Sequence, residues 1–186
     1  MYIYSVQGTW AAGKSTLLQR LSNDAGKDIL PVSEFGVSER RTRDALGLDI
    51  RKRDDFVKNQ GIFFEAEHER VKSLKTKGLS AVLFDLGPED TLCFSKIHPV
   101  AISAQWDVSA EIDVLVRRFI PHRSTKILYL KASKETLRQR RSGDLTKSRV
   151  LFEEFIELYY DLEIAFYQDR TYAKALAIPS LTACAF

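Results

Sequence analysis

A glycine-rich segment near the amino terminus carries residue types that bind phosphate. The run Gly8-Thr9-Trp10-Ala11-Ala12-Gly13-Lys14-Ser15 fits the pattern GxxxxGK(S/T). Its glycines let the backbone form a concave loop whose N–H groups point at phosphate oxygens, and a following helix adds the positive end of its dipole. We expect Lys14 to span the β- and γ-phosphates of a nucleotide and Ser15 to ligate Mg²⁺. The residues expected to contact the nucleotide here are Gly8, Ala11, Ala12, Gly13, Lys14, Ser15 and Thr16.

Two carboxylates follow apolar runs further along the chain. Asp85 ends the run Ala81-Val82-Leu83-Phe84, and Glu34 comes shortly after Ile29-Leu30-Pro31-Val32. The carboxyl ends of parallel strands form the ligand-binding edge of an α/β sheet, so both carboxylates are expected near the phosphate. Asp85 is expected to hold the metal, or its water shell, together with Ser15. Two interpretations of Glu34 stay open: a base that takes the proton of an acceptor hydroxyl, or a solvated or ion-paired loop residue.

Alternating strands and helices are predicted to position these groups. Short, mostly apolar runs bounded by turn or polar residues predict strands at 2–7, 29–32, 79–84, 126–131 and 175–178. Helical spacing of apolar residues predicts helices at 13–22, 54–77, 108–119 and about 150–170. Strands that alternate with helices in this way indicate a three-layer α/β fold with a five-stranded parallel sheet. No linker divides residues 1–186, so we expect a single domain.

The composition excludes several classes of protein. The 186 residues are 45% hydrophobic and 28% charged, which is typical of a soluble globular domain. Two cysteines, Cys93 and Cys184, have no paired spacing, so we expect neither a disulfide framework nor a structural zinc site. The first residues form no basic leader, and no apolar run approaches the ~18 residues of a membrane span. We therefore expect a cytoplasmic protein with free thiols.

The charge distribution points to a small anionic partner. The whole chain carries a net charge of +3, whereas residues 134–149 alone contain six basic residues against two acidic ones, and 151–170 is acidic. A basic patch this local suits a nucleoside triphosphate better than a nucleic-acid duplex. We expect the partners to be a nucleotide and a small acceptor, without nucleic acid or membrane. A homodimer stays open.

Together, these motifs resemble the thymidylate kinase and deoxynucleoside kinase group of P-loop kinases. The resemblance rests on loop 8–16, Glu34, Asp85 and the arginine-rich stretch 138–149, and it spans nearly the whole chain. It implies a P-loop NTPase fold and, with ATP and Mg²⁺, transfer of the γ-phosphoryl group to a nucleoside, a nucleoside monophosphate or a similar small molecule. It also implies a mobile lid at about 134–149 that closes over the donor phosphates. The lid arginines would be Arg138, Arg140, Arg141 and Arg149.

The same resemblance bears on the acceptor side. Glu34 matches the glutamate that nucleoside members of the group use as a base, and Asp85 matches the acid of an acid–arginine pair after strand three. This chain has Leu86 where the arginine is expected. Either another arginine replaces it or the acceptor differs from the usual one, and we favour a hydroxyl acceptor slightly over a phosphate. The candidate replacements are Arg40, Arg41, Arg43, Arg117 and Arg118.

Other side chains are candidates for binding the acceptor. By resemblance, the long helix lines the acceptor pocket, where Asn59, Gln60 and Phe63 would read a base with amides and an aromatic face. The alternative is that they belong to the core. Trp10 either covers a ligand ring or packs against the protein. His98 is either a substrate or proton-transfer residue or, beside a proline, a structural one.

Two further function classes were weighed against a kinase. A GTPase-type switch is disfavoured because the chain lacks an NKxD motif, and the run Asp85-Leu86-Gly87-Pro88 does not give DxxG. A nucleotide-binding regulator, or a degenerate kinase that does not transfer a phosphoryl group, is favoured in the sequence only by Leu86. Formation of ADP that depends on an added acceptor distinguishes this last class from a kinase.

Overall fold

Parallel strands form the central sheet of the protein. The computed structural model describes residues 2–24, 28–34, 36–119, 123–142, 151–168 and 181–185. The strands are β1 (Tyr2–Gln7), β2 (Ile29–Val32), β3 (Ala81–Asp85), β4 (Lys126–Lys131) and β5 (Leu181–Ala185). They pair in parallel in the order β2-β3-β1-β4-β5. β1 therefore occupies the centre of the sheet, between β3 and β4.

Helices connect the strands and cover the sheet. Those in the described ranges are α1 (Lys14–Asp24), α2 (Val37–Ala45), α3 (Arg53–Lys72), α4 (Glu89–Ala101), α5 (Ser109–Phe119), α6 (Lys134–Ser142) and α7 (Phe152–Gln168). α4 packs against α7, and α3 packs against α5. The core joins Val6 of β1 and Ile127 of β4 to Phe56 of α3, Leu92 of α4 and Ile156 of α7. No helix in these ranges is long and apolar enough to cross a membrane.

The prediction of an α/β fold with a parallel sheet is confirmed. Four strands occur where the sequence predicts them, with ends shifted by no more than two residues. The fifth was predicted at 175–178, which lies outside the described residues, whereas β5 is at Leu181–Ala185. The helix predicted over 54–77 ends at Lys72, since a turn at Thr76 to Leu79 leads into β3. Of the lid stretch 134–149, Lys134–Ser142 is helix α6 and 143–149 lies outside the described residues, so the lid stays a prediction.

Besides α6, which lies in the stretch predicted as a lid, the helices α2 and α4 were not predicted, for physical reasons. α2 contains no buried residue, so no apolar stripe marks it in the sequence. α4 mixes buried polar side chains, such as Ser95 and His98, with apolar ones and contains Pro99 near its end. Both departures hide the helical period that the sequence analysis relies on.

The connection from β3 to α4 leaves no room for a side chain at Gly87. A Cβ atom there would lie 2.4 Å from Ser5 Cβ and 2.8 Å from Glu89 Oε2. The buried Glu89 carboxylate accepts hydrogen bonds from Ser5 Oγ (3.2 Å) and Ser124 Oγ (2.9 Å). It therefore links the start of α4 to β1 and to the residues before β4. Glycine is required where the chain passes this link.

We predict that Gly87→Ala destabilises the protein, because the added methyl group overlaps the Ser5 side chain inside the sheet. The expected cost is about 1–3 kcal/mol, or roughly 2–10 °C in melting temperature. Gly61→Ala is the matched control, since a Cβ at Gly61 in α3 meets no atom within 4 Å. Alanine there should stabilise the helix by about 0.5–1 kcal/mol. Thermal denaturation should show a lower melting temperature for Gly87→Ala and a higher one for Gly61→Ala. An unchanged melting temperature of Gly87→Ala would contradict the predicted overlap with Ser5.

Candidate active site

Loop 8–15 is folded back sharply between β1 and α1. Gly8 and Gly13 have φ angles of 140° and 99°, and Ala11 also has a positive φ of 63°. A Cβ at Gly8 would lie 2.5 Å from the carbonyl oxygen of Leu130 in β4, so glycine is required by close approach as well as by φ. α1 begins at Lys14. The strand, loop and helix thus follow in the order that the sequence predicts for a phosphate-binding loop.

Lys14 is buried against this loop. Its Nζ donates hydrogen bonds to the carbonyl oxygens of Gly8 (2.6 Å) and Thr9 (3.2 Å). Arg140 of α6 reaches the same loop, where its Nη1 donates to the Ala12 carbonyl oxygen at 2.9 Å. Two cationic groups therefore lie at the loop, one within its curve and one on its outer backbone. Both were predicted from the sequence.

Two other predicted lid arginines, Arg138 and Arg141, lie against α7. Arg138 forms ion pairs with Glu153 (2.8 Å) and Glu157 (2.5 Å) of α7. Arg141 is buried, with its guanidinium 5.8 Å from the centre of the Phe152 ring. The structure thus places these two arginines against α7, because α7 offers carboxylates and an aromatic face to α6. Arg149 lies outside the described residues.

Asp85 and Ser15 are the candidate metal ligands. Asp85 is 3% exposed, and its Oδ1 has no hydrogen-bond partner among the described residues. Ser15 lies exposed in the first turn of α1. An unpaired carboxylate oxygen and a hydroxyl fit Mg²⁺, which binds through few protein ligands and keeps waters and phosphate oxygens. No group of three or more His, Cys, Asp or Glu residues in the described ranges could hold a metal ion.

A cavity of about 340 Å³ lies beside the loop and collects most of the predicted acceptor residues. Gly8, Trp10 and Lys14 form its loop side. Its other walls include Glu34, Arg40, Arg43, Asn59, Gln60, Phe63 and Leu86.

Three of the candidate replacement arginines do not line this cavity. Arg41 is exposed on α2, and Arg117 is exposed on α5. Arg118 is also on α5 and pairs with Glu65 at 3.5 Å. Substrate roles for these three arginines therefore find no geometric support.

The inner end of the cavity carries polar groups without partners. Asn59 and Gln60 are 2% and 1% exposed. Gln60 Oε1 accepts a hydrogen bond from Ser95 Oγ at 2.8 Å, while Gln60 Nε2 and Asn59 Oδ1 have no partner among the described residues. Buried polar atoms left unpaired cost free energy, so a ligand that offers an acceptor and a donor here gains affinity.

Two carboxyl groups that the sequence analysis missed also line the cavity. Burial raises the pKa of Asp90 to about 6, and the positive charge of Lys14 opposes that shift. Burial likewise raises the pKa of Glu163 to about 8, again against Lys14. Glu163 could have been found in the sequence, because it interrupts the apolar face of α7 at helical spacing from Ile156 and Tyr160.

Trp10 and His98 belong to a set of stacked rings beside the cavity. Trp10 is 42% exposed and stacks on Phe155, with ring centres 4.7 Å apart, and Phe155 stacks on Tyr159 at 4.9 Å. His98 Nε2 donates to the carbonyl oxygen of Ile50 (3.0 Å), so its Nδ1 accepts from the Tyr159 hydroxyl (2.8 Å). Burial lowers the pKa of His98. Both ring nitrogens are used within the protein, which supports the structural interpretation.

Solved structures of one enzyme have the same architecture as this chain. Deoxyadenosine kinase from M. mycoides with bound dATP matches with a TM-score of 0.70 and 22% identity, over 99% of this chain and 90% of that chain. The structure of this enzyme with the products dCMP and a flexible dCDP matches with a TM-score of 0.67 and 19% identity. Its structure with bound dCTP matches with a TM-score of 0.65 and 18% identity. Both cover 98% of this chain and 89% of that chain. The chain has the fold of a deoxynucleoside kinase.

This structural likeness confirms the α/β fold of a P-loop kinase that the sequence resemblance implies. No protein-family model and no curated protein matches the sequence. At 18–22% identity the likeness is one of fold.

We predict that Glu163→Gln changes the pH dependence of stability. The pKa of Glu163 is about 8 in the folded protein against 4.5 normally, so its stabilising contribution is present below about pH 4.5 and is lost as pH rises through 8. Glutamine does not ionise. Near pH 5 the variant and the wild type should therefore have similar melting temperatures. At pH 9 the melting temperature of the variant should be higher by roughly 5–10 °C, which corresponds to on the order of a few kcal/mol in the free energy of unfolding.

Glu157→Gln is the matched control for this measurement, since Glu157 lies on the exposed side of the same helix. Its substitution should give the same shift in melting temperature at pH 5 and at pH 9, because it removes an exposed ion pair with Arg138 and no buried group. Parallel melting curves of the wild type and Glu163→Gln from pH 5 to pH 9 would contradict the raised pKa.

Proposed function

We propose that this chain is a nucleoside kinase that transfers the γ-phosphoryl group of ATP to a hydroxyl of a deoxynucleoside. The observation that carries the proposal is the single cavity that joins the two halves of such a reaction. Gly8 and Lys14 of the loop form one side of it, and Glu34 with Gln60 and Phe63 forms the other. A donor phosphate at the loop and an acceptor at Gln60 would share this space.

The donor side supplies positive charge to the triphosphate. The backbone N–H groups of loop 8–15 and the amino-terminal end of α1 would bind its phosphate oxygens. Lys14 would exchange its bonds to the Gly8 and Thr9 carbonyls for phosphate oxygens, and Arg140 lies close enough to the loop to contribute. Mg²⁺ held by Ser15 and Asp85 would neutralise charge on the transferring group.

The acceptor side supplies orientation and a base. The acceptor hydroxyl oxygen forms a bond to the γ-phosphorus while the bond from that phosphorus to the bridging oxygen breaks and ADP leaves. Glu34 takes the hydroxyl proton, which a carboxylate at the cavity wall is suited to do. The unpaired amide groups of Asn59 and Gln60 would bind the edge of the base, and Phe63 its face.

The comparisons favour deoxynucleosides as the first acceptors to try. The similar structures are those of a deoxyadenosine kinase with bound dATP, with bound dCTP, or with dCMP and dCDP. We therefore propose deoxyadenosine and deoxycytidine as acceptors.

A nucleoside monophosphate is the second candidate acceptor, because Arg40 and Arg43 also line the cavity. Their guanidinium groups could hold a phosphate in place of a hydroxyl. In that case Arg40→Gln or Arg43→Gln should cause the largest losses, and Glu34→Gln a small one. Nucleotide binding without ADP formation from any of these acceptors would instead favour a regulator.

We predict that Lys14→Met abolishes transfer, because the transition state loses a positive charge beside the γ-phosphoryl group. Turnover should fall by about 10²-fold or more, with little change in melting temperature, since methionine keeps the buried volume. ADP release with saturating ATP, Mg²⁺ and deoxyadenosine measures this. Lys72→Met is the control, since Lys72 ends α3 and pairs only with Glu69 among the contacts described. Equal turnover of Lys14→Met and wild type would rule out a phosphate-binding role for the loop.

We predict that Glu34→Gln lowers turnover by about two to four orders of magnitude for a nucleoside acceptor, while ATP binding stays nearly unchanged. The reason is that a hydroxyl with a high pKa needs a base, whereas a phosphate ionised at pH 7 does not. Steady-state kinetics and titration calorimetry with a non-hydrolysable ATP analogue give the two quantities. Glu69→Gln, exposed on α3 outside the cavity, is the control. Full activity of Glu34→Gln would reject the hydroxyl acceptor.

A further inference from the structure

Arg70, in the last turn of α3, holds three parts of the chain together. Its Nε and Nη2 donate to the two carboxylate oxygens of Glu67 at 2.9 and 3.0 Å, and Glu67 is fully buried. The same guanidinium donates from Nη1 to the carbonyl oxygen of Ser33 (3.1 Å) and from Nη2 to that of Leu86 (2.8 Å). It also lies 4.7 Å from the centre of the Phe84 ring. One side chain therefore joins α3 to the ends of β2 and β3.

The two carbonyl groups that Arg70 binds belong to peptides next to site residues. Ser33 immediately precedes Glu34, and Leu86 immediately follows Asp85. Leu86 has a φ of 55°, a left-handed conformation that branched residues avoid. Its N–H donates to the Val6 carbonyl oxygen (3.1 Å), and its own carbonyl accepts from Arg70. Bonds at both ends thus hold Leu86 in this conformation at the cavity wall.

We infer that Arg70, fixed by Glu67, is a positioning residue that sets the direction of Glu34 and of the strand end at Leu86. The inference rests on the proposed function, in which Glu34 is the base. A planar guanidinium offers several N–H donors in a fixed fork, so it can serve a carboxylate and two carbonyls at once. Lysine keeps the charge but lacks this geometry, which makes Arg70→Lys the informative substitution.

A double-mutant cycle tests whether Arg70 acts through Glu34. Arg70→Lys should lower kcat with deoxyadenosine by about 10- to 100-fold per folded molecule, with the KM for ATP changed less than about twofold. In the Glu34→Gln background, Arg70→Lys should cause no further loss, because the group it positions is already gone. If the two losses multiply, Arg70 does not position Glu34 and the inference is wrong.

Arg53→Lys is the matched control for the cycle. Arg53 also lies on α3 and also binds a carboxylate, Glu111, and a backbone carbonyl, that of Asp107. It does not line the cavity. Arg53→Lys should leave kcat unchanged. Any change in its melting temperature measures how much stability is lost when an arginine that binds a carboxylate and a backbone carbonyl is replaced. A kcat loss equal to that of Arg70→Lys would show a general structural effect and overturn the inference.

Amide hydrogen exchange tests the link without catalysis. In Arg70→Lys, the amide of Leu86, which donates to the Val6 carbonyl oxygen, should exchange at least about tenfold faster because the Leu86 carbonyl is no longer held, with amides in the middle of α3 unchanged. If the wild type transfers no phosphoryl group, the proposed function fails, and exchange still decides whether Arg70 holds the strand end at Leu86. If Arg70→Lys does not fold, Glu67→Met with Arg70→Leu removes the pair without leaving a buried charge. Unchanged exchange at the Leu86 amide would overturn the inference.

Discussion

Parallel pairing of β1 with β3 is the constraint on which the site depends. Val6 lies opposite Asp85, so the loop that follows β1 and the carboxylate that ends β3 meet at one edge of the sheet. β2 pairs with β3 on the other side and brings Glu34 to the same edge. A slip of one residue would turn Asp85 to the other face of the sheet. The packing of Gly87 against Ser5 and the buried Glu89 carboxylate fix this register.

Charge balance inside the cavity is the second feature that organises the site. Lys14 opposes the upward pKa shifts that burial imposes on Asp90 and Glu163. The Lys14 ammonium donates hydrogen bonds to carbonyl groups of its own loop. A buried ammonium needs such partners, and they hold it at the loop where we propose that the donor phosphate binds.

The basic and acidic segments of the carboxy-terminal half neutralise each other. The sequence shows a basic stretch followed by an acidic one, and the basic stretch predicts a surface for phosphate. In the structure, Lys134 and Arg138 of α6 pair with Asp161, Glu153 and Glu157 of α7. Arg140 is left at the loop. Among the described residues of the basic stretch, the long-range packing of α6 on α7 thus leaves Arg140 in contact with the loop, although the cluster looks uniform in the sequence.

The sequence by itself determined the fold class, the loop at 8–15, the two strand-end carboxylates and the helix that carries Asn59, Gln60 and Phe63. These features depend on local spacing and on the apolar pattern of strands, which can be read directly from the residues. It did not reveal α2 and α4, because neither has a clean apolar stripe.

Only the tertiary structure decided which charged groups meet. Asp90 and Glu163 come to the cavity from α4 and α7. Arg70 comes from the end of α3 to the carbonyl groups of Ser33 and Leu86, which are 37 and 16 residues away in the sequence. Burial, which changes the pKa values of the first two, and hydrogen bonds to backbone carbonyls, which hold the third, arise from packing between elements. The place of Glu163 on the apolar face of α7 is the local sign of its burial. The sequence has no local signal for the burial of Asp90 or for the carbonyl contacts of Arg70, since a charged residue has the same letter whether it is solvated or buried.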